Sequence, residues 1–453
     1  MKRQRRAGVA TLAVSIIVCS NIASHLHGQT SDPALNALVK KGILTEQEAK
    51  DALAAAEAEF KKKVGPELRT SWKEGLSFQS AGGLFKGKLG GRVQLDIASF
   101  SEDDDVEARF GDIPAAVEFR RVRLSLEGEI GTALPVIFKT EYDFATSETE
   151  FKDVFVGIDK IPFVGRIQAG HFKEPIGLEV LTSSRFLTFL ERATPMEAFV
   201  PERNIGVMAS GSQLDEHLTY AAGVFTDTGS SGKIVSSIDS NYRLSARVTG
   251  LPWYDEASKG ARLLHLGLSG SYIDPGDAGT RFRARPEAHL APRFVDTGTN
   301  APFFLGADHQ QLGGAEAALV LGPFSAQAEY VRTWVNSPGV SAAFDGFYVF
   351  ASWFITGEHR NYRRSNGTFD RIVPNNSFTD GGLGAWEVAL RYSYLDLNDE
   401  GVNGGRLNDI TGGVNWYLNS NSKIQVNYVN AMVDRGTTDG TAHVFQGRFA
   451  VDF

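Results

Sequence analysis

The sequence predicts an all-β fold, a transmembrane antiparallel β-barrel of about 16 strands with a short helical segment ahead of it. Three observations predict it. From about Gly83 onward, roughly ten-residue stretches of alternating apolar and polar residues recur, broken by Gly, Asn and Asp turns. After the first 28 residues no run of 18 apolar residues remains to form a spanning helix. The last stretch places Phe445, Gly447, Phe449, Val451 and Phe453 on one parity and Gln446, Arg448, Ala450 and Asp452 on the other.

Residues 1–28 have the three-part layout of a secretory signal peptide. Lys2, Arg3, Arg5 and Arg6 come first, an apolar stretch runs from Ala7 to Val18, and small and polar residues follow. Cleavage near Ser24 or near Gly28-Gln29 fits equally. Val18 stands before Cys19 where a lipid-attachment site wants a small residue. Removing the segment takes away the single cysteine and moves the formal charge from −8 to −12. An acidic exported chain without cysteine makes no disulfide and does not suit nucleic acid.

Residues 29–80 read as a periplasmic helical leader. Pro33 to Lys41 and Glu46 to Lys63 have helical character, broken at Gly42, with Thr45 and Glu48 spaced as a capping box.

Residues 81–453 read as the barrel. Trp386, Val388, Leu390, Tyr392 and Tyr394 share one face, against Glu387, Ala389, Arg391 and Ser393. Leu264, Leu266, Leu268 and Tyr272 alternate in the same way, as do Ile424, Val426 and Tyr428. With no second sheet to cover it, an apolar strand face over this length must meet lipid, and only a closed barrel satisfies its backbone there. Dividing roughly 370 residues by about 23 per strand and connection gives about 16 strands and an aqueous lumen. Residues 101–117, 178–204, 275–312 and 358–384 read as long loops. Within 183–199, Phe186, Leu187, Phe189 and Leu190 are apolar at near-helical spacing, so this loop is expected to fold into the lumen and narrow it.

Several segments resemble a known family. They are Gly90-Gly91-Arg92-Val93-Gln94-Leu95-Asp96, Phe119-Arg120-Arg121, Gly177-Leu178-Glu179, Thr182-Ser183-Ser184 and Leu190-Glu191-Arg192. Further along come Phe324 to Tyr330, Thr356-Gly357-Glu358, Gly384-Ala385-Trp386-Glu387, Val414-Asn415-Trp416-Tyr417 and Asn427-Tyr428-Val429. In this order, from Lys86 to Phe453, they resemble the phosphate-selective porin O/P family of outer-membrane channels. The resemblance implies a trimeric barrel of 16 strands, a passive channel rather than an enzyme, without cofactor or metal, whose arginine ladder leads inorganic phosphate to a narrow zone. Its outer surface would meet outer-membrane lipid, and the terminal Phe453 would be read by the barrel-assembly machinery.

Carried over residue by residue, the constriction falls on Arg92, Arg120 and Arg121, with Arg192 from the in-folded loop. The outer ladder falls on Arg281, Arg283 and Arg285, spaced by two so that an extended segment turns all three to one side. Arg293 extends that ladder. Arg123 and Lys173 stand where family members can carry uncharged or acidic residues, and are candidate selectivity positions. They leave phosphate and larger or polymeric anions both open. The family's outer lysine cluster is not found, and Val180 occupies one of its expected positions. Guanidinium groups suit such a path because they offset lost phosphate hydration with two-point, charge-assisted hydrogen bonds, and several moderate sites in series let the ion move on.

Arg120 has the wrong parity. Val122, Leu124 and Leu126 read as lipid-facing, which turns Arg121 and Arg123 inward and Arg120 outward. A bulge at Arg120 is the expected remedy. Competing readings are a general diffusion porin, with balanced lumenal charge, and a barrel enzyme. No Gly-x-Ser-x-Gly pattern or Ser/His/Asp grouping supports the enzyme. Gly229-Ser230-Ser231-Gly232-Lys233 is shorter than a phosphate-binding P-loop. Glu102 to Asp105 reads as a solvated acidic loop rather than a calcium site. A structural anchor would rest on the leader alone.

Overall fold

The computed structural model describes residues 68–453 apart from 73, 81, 147, 227, 229–240, 277–279 and 299–306, and ahead of them residues 45, 47 and 51. The expected signal segment 1–28, nearly all of the expected helices at 33–41 and 46–63, and Gly229 to Lys233 lie outside the described residues. The chain divides into two compact units, Met1–Glu67 and Leu68–Phe453. In the first, Gln47 and Asp51 are helical, and the Gln47 amide donates to the Asp51 carboxylate at 3.1 Å, one turn on.

The second unit begins with a hairpin, β1 (Leu68–Trp72) and β2 (Leu76–Ser80), whose second strand pairs with the first barrel strand. The hairpin occupies the last part of 29–80, which reads in sequence as a helical leader, and lies beyond its two expected helices at 33–41 and 46–63. Leu76 and Phe78 alternate with Ser77 and Gln79, a period of two too brief to stand out in the sequence.

Sixteen antiparallel strands form the barrel: β3 (Phe85–Glu102), β4 (Ala116–Ile130), β5 (Val136–Asp143), β6 (Glu150–Ile161), β7 (Gly165–Lys173) and β8 (Arg203–Gln213). They continue as β9 (Leu218–Thr226), β10 (Tyr242–Tyr254), β11 (Arg262–Asp274), β12 (His309–Leu321) and β13 (Phe324–Ser337). β14 (Val340–Phe354), β15 (Ala385–Asp399), β16 (Val402–Asn419), β17 (Ser422–Arg435) and β18 (Thr438–Asp452) complete the wall. Each pairs with its neighbour in sequence, and β18 pairs with β3 from Asp452↔Arg92 to Ala442↔Glu102, closing the ring. Closure leaves no free edge, so the wall's backbone groups are paired within it.

The two faces follow the alternation. Leu390 and Leu268 are exposed outside, as are Phe445 and Phe449, whereas Glu387, Arg391, Ser393 and Arg448 are buried inside. Trp386 stacks on Trp416 with ring centroids 5.1 Å apart, and both rings lie on the apolar parity of their strands. Aromatic rings of this kind suit the membrane–water boundary.

The strand order defines two ends. β3 starts and β18 finishes at the lower end, where most connections are short turns. The connections 103–115, 174–202 and 275–308 leave the upper end. The fourth long connection, 355–384, leaves the lower end instead and reaches the wall from below: Arg247 of β10 donates to Gly367 O at 2.8 Å. Its base is tied by Glu358, which accepts from Asn375 N at 2.9 Å and from the Thr356 hydroxyl.

Candidate functional site

The connection 174–202 crosses the lumen. It contains two short helices, α1 (Leu178–Leu181) and α2 (Thr194–Phe199). Phe186 to Leu190, expected at helical spacing, forms no helix. Its carbonyls are taken up by the wall instead. Lys423 donates to Leu187 O at 3.0 Å, Asn415 to Thr188 O at 2.8 Å, and Arg448 to Leu190 O at 2.5 Å. Phe189 packs edge-on to Phe350. Across the lumen, Glu329 of β13 accepts from the Leu178 and Glu179 amides, both at 2.7 Å.

A second segment folds in from the connection 275–308. A two-residue ladder pairs Arg283–Ala284 with Val295–Asp296. Phe282 and Ala284 are buried in a cluster with Phe294, Phe344 and Leu397, while Arg281 and Arg283 on the other parity are exposed. Arg391 of β15 clamps both in-folded segments, reaching Glu179 at 3.1 Å and Glu287 at 2.5 Å. What these segments leave open is the candidate path.

Among the described residues, two of the cavities along it are lined by the expected arginines. The upper one, about 420 Å³, is bordered by Lys152, His171, Arg243, Arg281 and Glu197. The lower one is about 290 Å³. Its wall residues Lys88, Arg92, Arg121, Arg123, Lys139, Lys173 and Arg203 and its loop residues Arg185, Arg192, Arg363 and Arg371 bring eleven basic groups. Glu74, Glu127, Asp153, Glu202 and Asp370 bring five carboxylates, an excess of six positive charges in a chain whose total is −8. Glu202 and Arg203 line both cavities and mark their junction.

The expected constriction residues fall as follows. The register of β3 and β4 runs Gln94↔Arg121 and then Leu95↔Phe119, leaving Arg120 as the extra residue of a bulge. The bulge turns Phe119 and Leu124 outward while Arg120 and Arg121 both face in. Arg120 lines neither cavity; its guanidinium makes a two-point pair with Glu191 of the in-folded loop, at 2.9 and 3.0 Å. Arg121 lines the lower cavity with 3% of its surface open. It donates to Gln94 at 2.8 Å and stands 3.8 Å from Glu191. Arg92 is held by Glu141 at 2.7 Å and Ser184 at 2.9 Å. Arg192 braces its own loop, donating to Glu202 at 2.5 Å and to the carbonyls of Glu179 and Val180 at 3.3 and 3.2 Å. Burial alone would raise the Glu191 carboxyl, but Arg120, Arg121 and Arg448 hold it well below the usual carboxylate range.

Both selectivity candidates reach the lower cavity. Arg123 is paired with Asp143 at 2.6 Å and Glu141 at 3.1 Å. The Lys173 ammonium meets backbone carbonyls of Val180, Leu181 and Thr182.

Arg281 and Arg283 are exposed on one parity, and Arg285 follows the ladder and is half-buried. Arg281 makes a two-point pair with Asp296, and Arg285 and Arg293 meet Glu197 at 3.1 and 3.3 Å. Of the three, Arg281 borders the upper cavity. Asp103, in the acidic run, caps the helix Asp104–Phe110 by accepting from Val106 N at 3.0 Å. Among the described residues no His, Cys, Asp and Glu grouping is placed to hold a metal ion.

The sequence reading missed Arg203, Arg371, Lys139 and Arg185, which line the lower cavity, and Arg391 and Arg448, which anchor the in-folded loop. The inward parity of Arg391 and Arg448 was a usable signal. Arg371 and Arg185 sit on irregular connections, where no periodicity points.

The sequence profile of phosphate-selective porin O and P matches residues 88–453. Porin O of Pseudomonas aeruginosa is 27% identical over 83% of this chain and 89% of its own length. An uncharacterised protein of Caulobacter vibrioides is 28% identical over 99% of this chain and 90% of its own. Among solved structures, the trimer form of OmpT, an outer-membrane protein of Vibrio cholerae, superposes with a TM-score of 0.52 at 8% identity, covering 82% of this chain and 99% of that one. OprB of Pseudomonas putida gives 0.50 at 9% identity, covering 82% and 94%. The closed barrel of 16 strands, the lumen crossed by its own loop and the family match over most of the chain agree: the protein belongs to the phosphate-selective porin O and P family and is an outer-membrane porin.

Proposed function

We propose that this porin is an anion-selective channel without enzymatic activity, taking up phosphate or polyphosphate by passive diffusion. The observation that carries the proposal is the lower cavity, where eleven basic side chains face five carboxylates. Low-dielectric walls around a narrow aqueous space make such an excess count for more than the acidic total of the chain. Arg92, Arg121, Arg123, Lys173 and Arg192 would form the inner station, and Arg281, Arg283 and Arg285 would gather anions above it. Arg120 would act through Glu191, by fixing the loop on which Arg192 sits.

The general-porin reading keeps one observation in its favour. Arg92, Arg120 and Arg123 are each paired with a carboxylate, which lowers the charge they offer a passing ion. The two readings separate in a planar bilayer. Reversal potentials across a potassium chloride gradient should give anion selectivity, and added phosphate should block chloride current. Cation selectivity, or no block, would replace this proposal with the general porin.

A homotrimer is part of the proposal. Strands β5 to β9 have 8 to 12 residues, whereas the other barrel strands have 13 to 18. A tilted strand needs about 9–11 residues to span the hydrocarbon region. The low wall is marginal against lipid and would be covered by a neighbouring subunit. We assign to Phe453 the role of assembly signal.

A further inference from the structure

We propose that Glu202 is a specificity-determining residue of the pore, its carboxylate holding down the affinity for anions where the two cavities meet. This inference rests on the channel reading above and adds an opposing charge to it.

Glu202 lies immediately before β8, and with Arg203 it lines both cavities. Its neighbours at the junction are basic. Arg192 bonds one carboxylate oxygen at 2.5 Å, and Arg203 stands 3.5 Å from the other. The two arginines are otherwise engaged differently. Arg203 is also held by Asp153 at 2.7 Å, whereas Arg192 has Glu202 as the carboxylate at bonding distance. The side chain of Glu202 keeps 47% of its surface open, against 2% for Glu141 and 14% for Glu191. Those two carboxylates are enclosed by the cations they pair with, while Glu202 presents its charge to the lumen.

An anion moving between the cavities must therefore pass an accessible carboxylate beside two guanidinium groups. Conduction needs sites that attract an ion yet release it. A cavity lining with six surplus positive charges risks holding a dianion too long. One exposed carboxylate where the two cavities meet counters that, because repulsion falls only as the inverse of distance and is poorly screened inside a protein wall.

The test is Glu202→Gln, which keeps the size and a carbonyl to accept from Arg192 but removes the charge. Purified full-length channels are recorded in planar bilayers with inorganic phosphate as the probe. The expected result is a half-blocking phosphate concentration lower by about fivefold to tenfold, and a reversal potential shifted toward chloride. Glu202→Asp, which keeps the charge, should stay near the parent. Unchanged block and unchanged reversal potential in Glu202→Gln would overturn the inference. So would weaker block, which would mean that the carboxylate serves only to hold Arg192 in place. The parent recording tests the anion reading separately. A cation-selective parent would sink that reading, while the direction of the Glu202→Gln shift would still decide the role of this charge.

Discussion

Arg120 and Glu191 face each other as a two-point ion pair, one nitrogen to each carboxylate oxygen, at the only bulge between β3 and β4. Glu191 is also 2.7 Å from Arg448 and 3.8 Å from Arg121, so one loop carboxylate serves three wall arginines. Removing it would take the paired carboxylate from Arg120 and Arg121, while Arg448 keeps Asp96 at 2.6 Å. Glu191→Gln is expected to cost about 3–5 kcal/mol. Thermal unfolding in detergent should show a clearly lowered midpoint, and a variant as stable as the parent would contradict this account of the loop anchor.

Arg121 differs from Arg120 in having a neutral partner, Gln94, within hydrogen-bond distance. Its charge is therefore the less neutralised of the pair. Arg121→Ala should raise the half-blocking phosphate concentration roughly tenfold or more, since a charge-assisted contact contributes on the order of 1.5–3 kcal/mol. Arg281→Ala, at the mouth, should leave the block nearly unchanged and slow capture at low salt, where steering counts most. Equal block in both variants and the parent would reduce these arginines to wall charges.

Arg391 links two segments that also meet directly, through Glu197 with Arg285 and Arg293. It holds Glu179 of the loop crossing the lumen and Glu287 of the upper in-folded segment. Arg391→Ala should loosen both, giving larger and noisier single-channel currents. Quiet currents of parental size would show that the remaining contacts, such as Glu329 with the Leu178 amide, suffice.

Strong acid should act on the upper segment. Burial alone would raise the Asp296 carboxyl, but the Arg281 hydrogen bond and charge bring it below the usual carboxylate range. A carboxyl depressed in the folded state stabilises that state above its unfolded value, and the contribution is lost as pH falls through the folded value. The ladder of Arg283–Ala284 with Val295–Asp296 should therefore loosen under acid conditions below the ordinary carboxylate range. Comparing current noise against pH in the parent and Asp296→Asn checks this. The variant should be noisy throughout, and identical profiles would rule the pair out as a latch.

Much of the wall was legible because alternation is a local property. Leu390 exposed beside buried Arg391 needs only one strand and two surroundings. The bulge at Arg120 was legible for the same reason, as a clash between two parities on one strand. Partners were not. Glu141 meets Arg92 and Glu191 meets Arg120 only once strand register and the loop path are set, and neither leaves a mark in nearby residues. The apolar run Phe186 to Leu190 correctly pointed inward, yet helical spacing misled because wall side chains take up its carbonyls. The motif residues proved to be fasteners: Glu387, Asn415 and Tyr417 form one hydrogen-bonded group at the foot of the loop.

The pairing of Phe453 with Gly91 carries a consequence for biogenesis. Their backbones exchange two hydrogen bonds, at 2.7 and 3.0 Å, and a side chain at Gly91 would strike the Phe453 ring at 2.7 Å. Phe453, just after the last barrel strand, thus seals the seam against one of the first parts of the wall. The ring stays open until β18 reaches β3, so the wall must be kept from other partners until its last strand arrives. Bulk at position 91 would then appear as a defect of maturation. Gly91→Leu should accumulate unfolded precursor-like protein, seen as loss of the heat-sensitive fast band on a cold gel, whereas normal yields of that band would mean that the seam tolerates a gap.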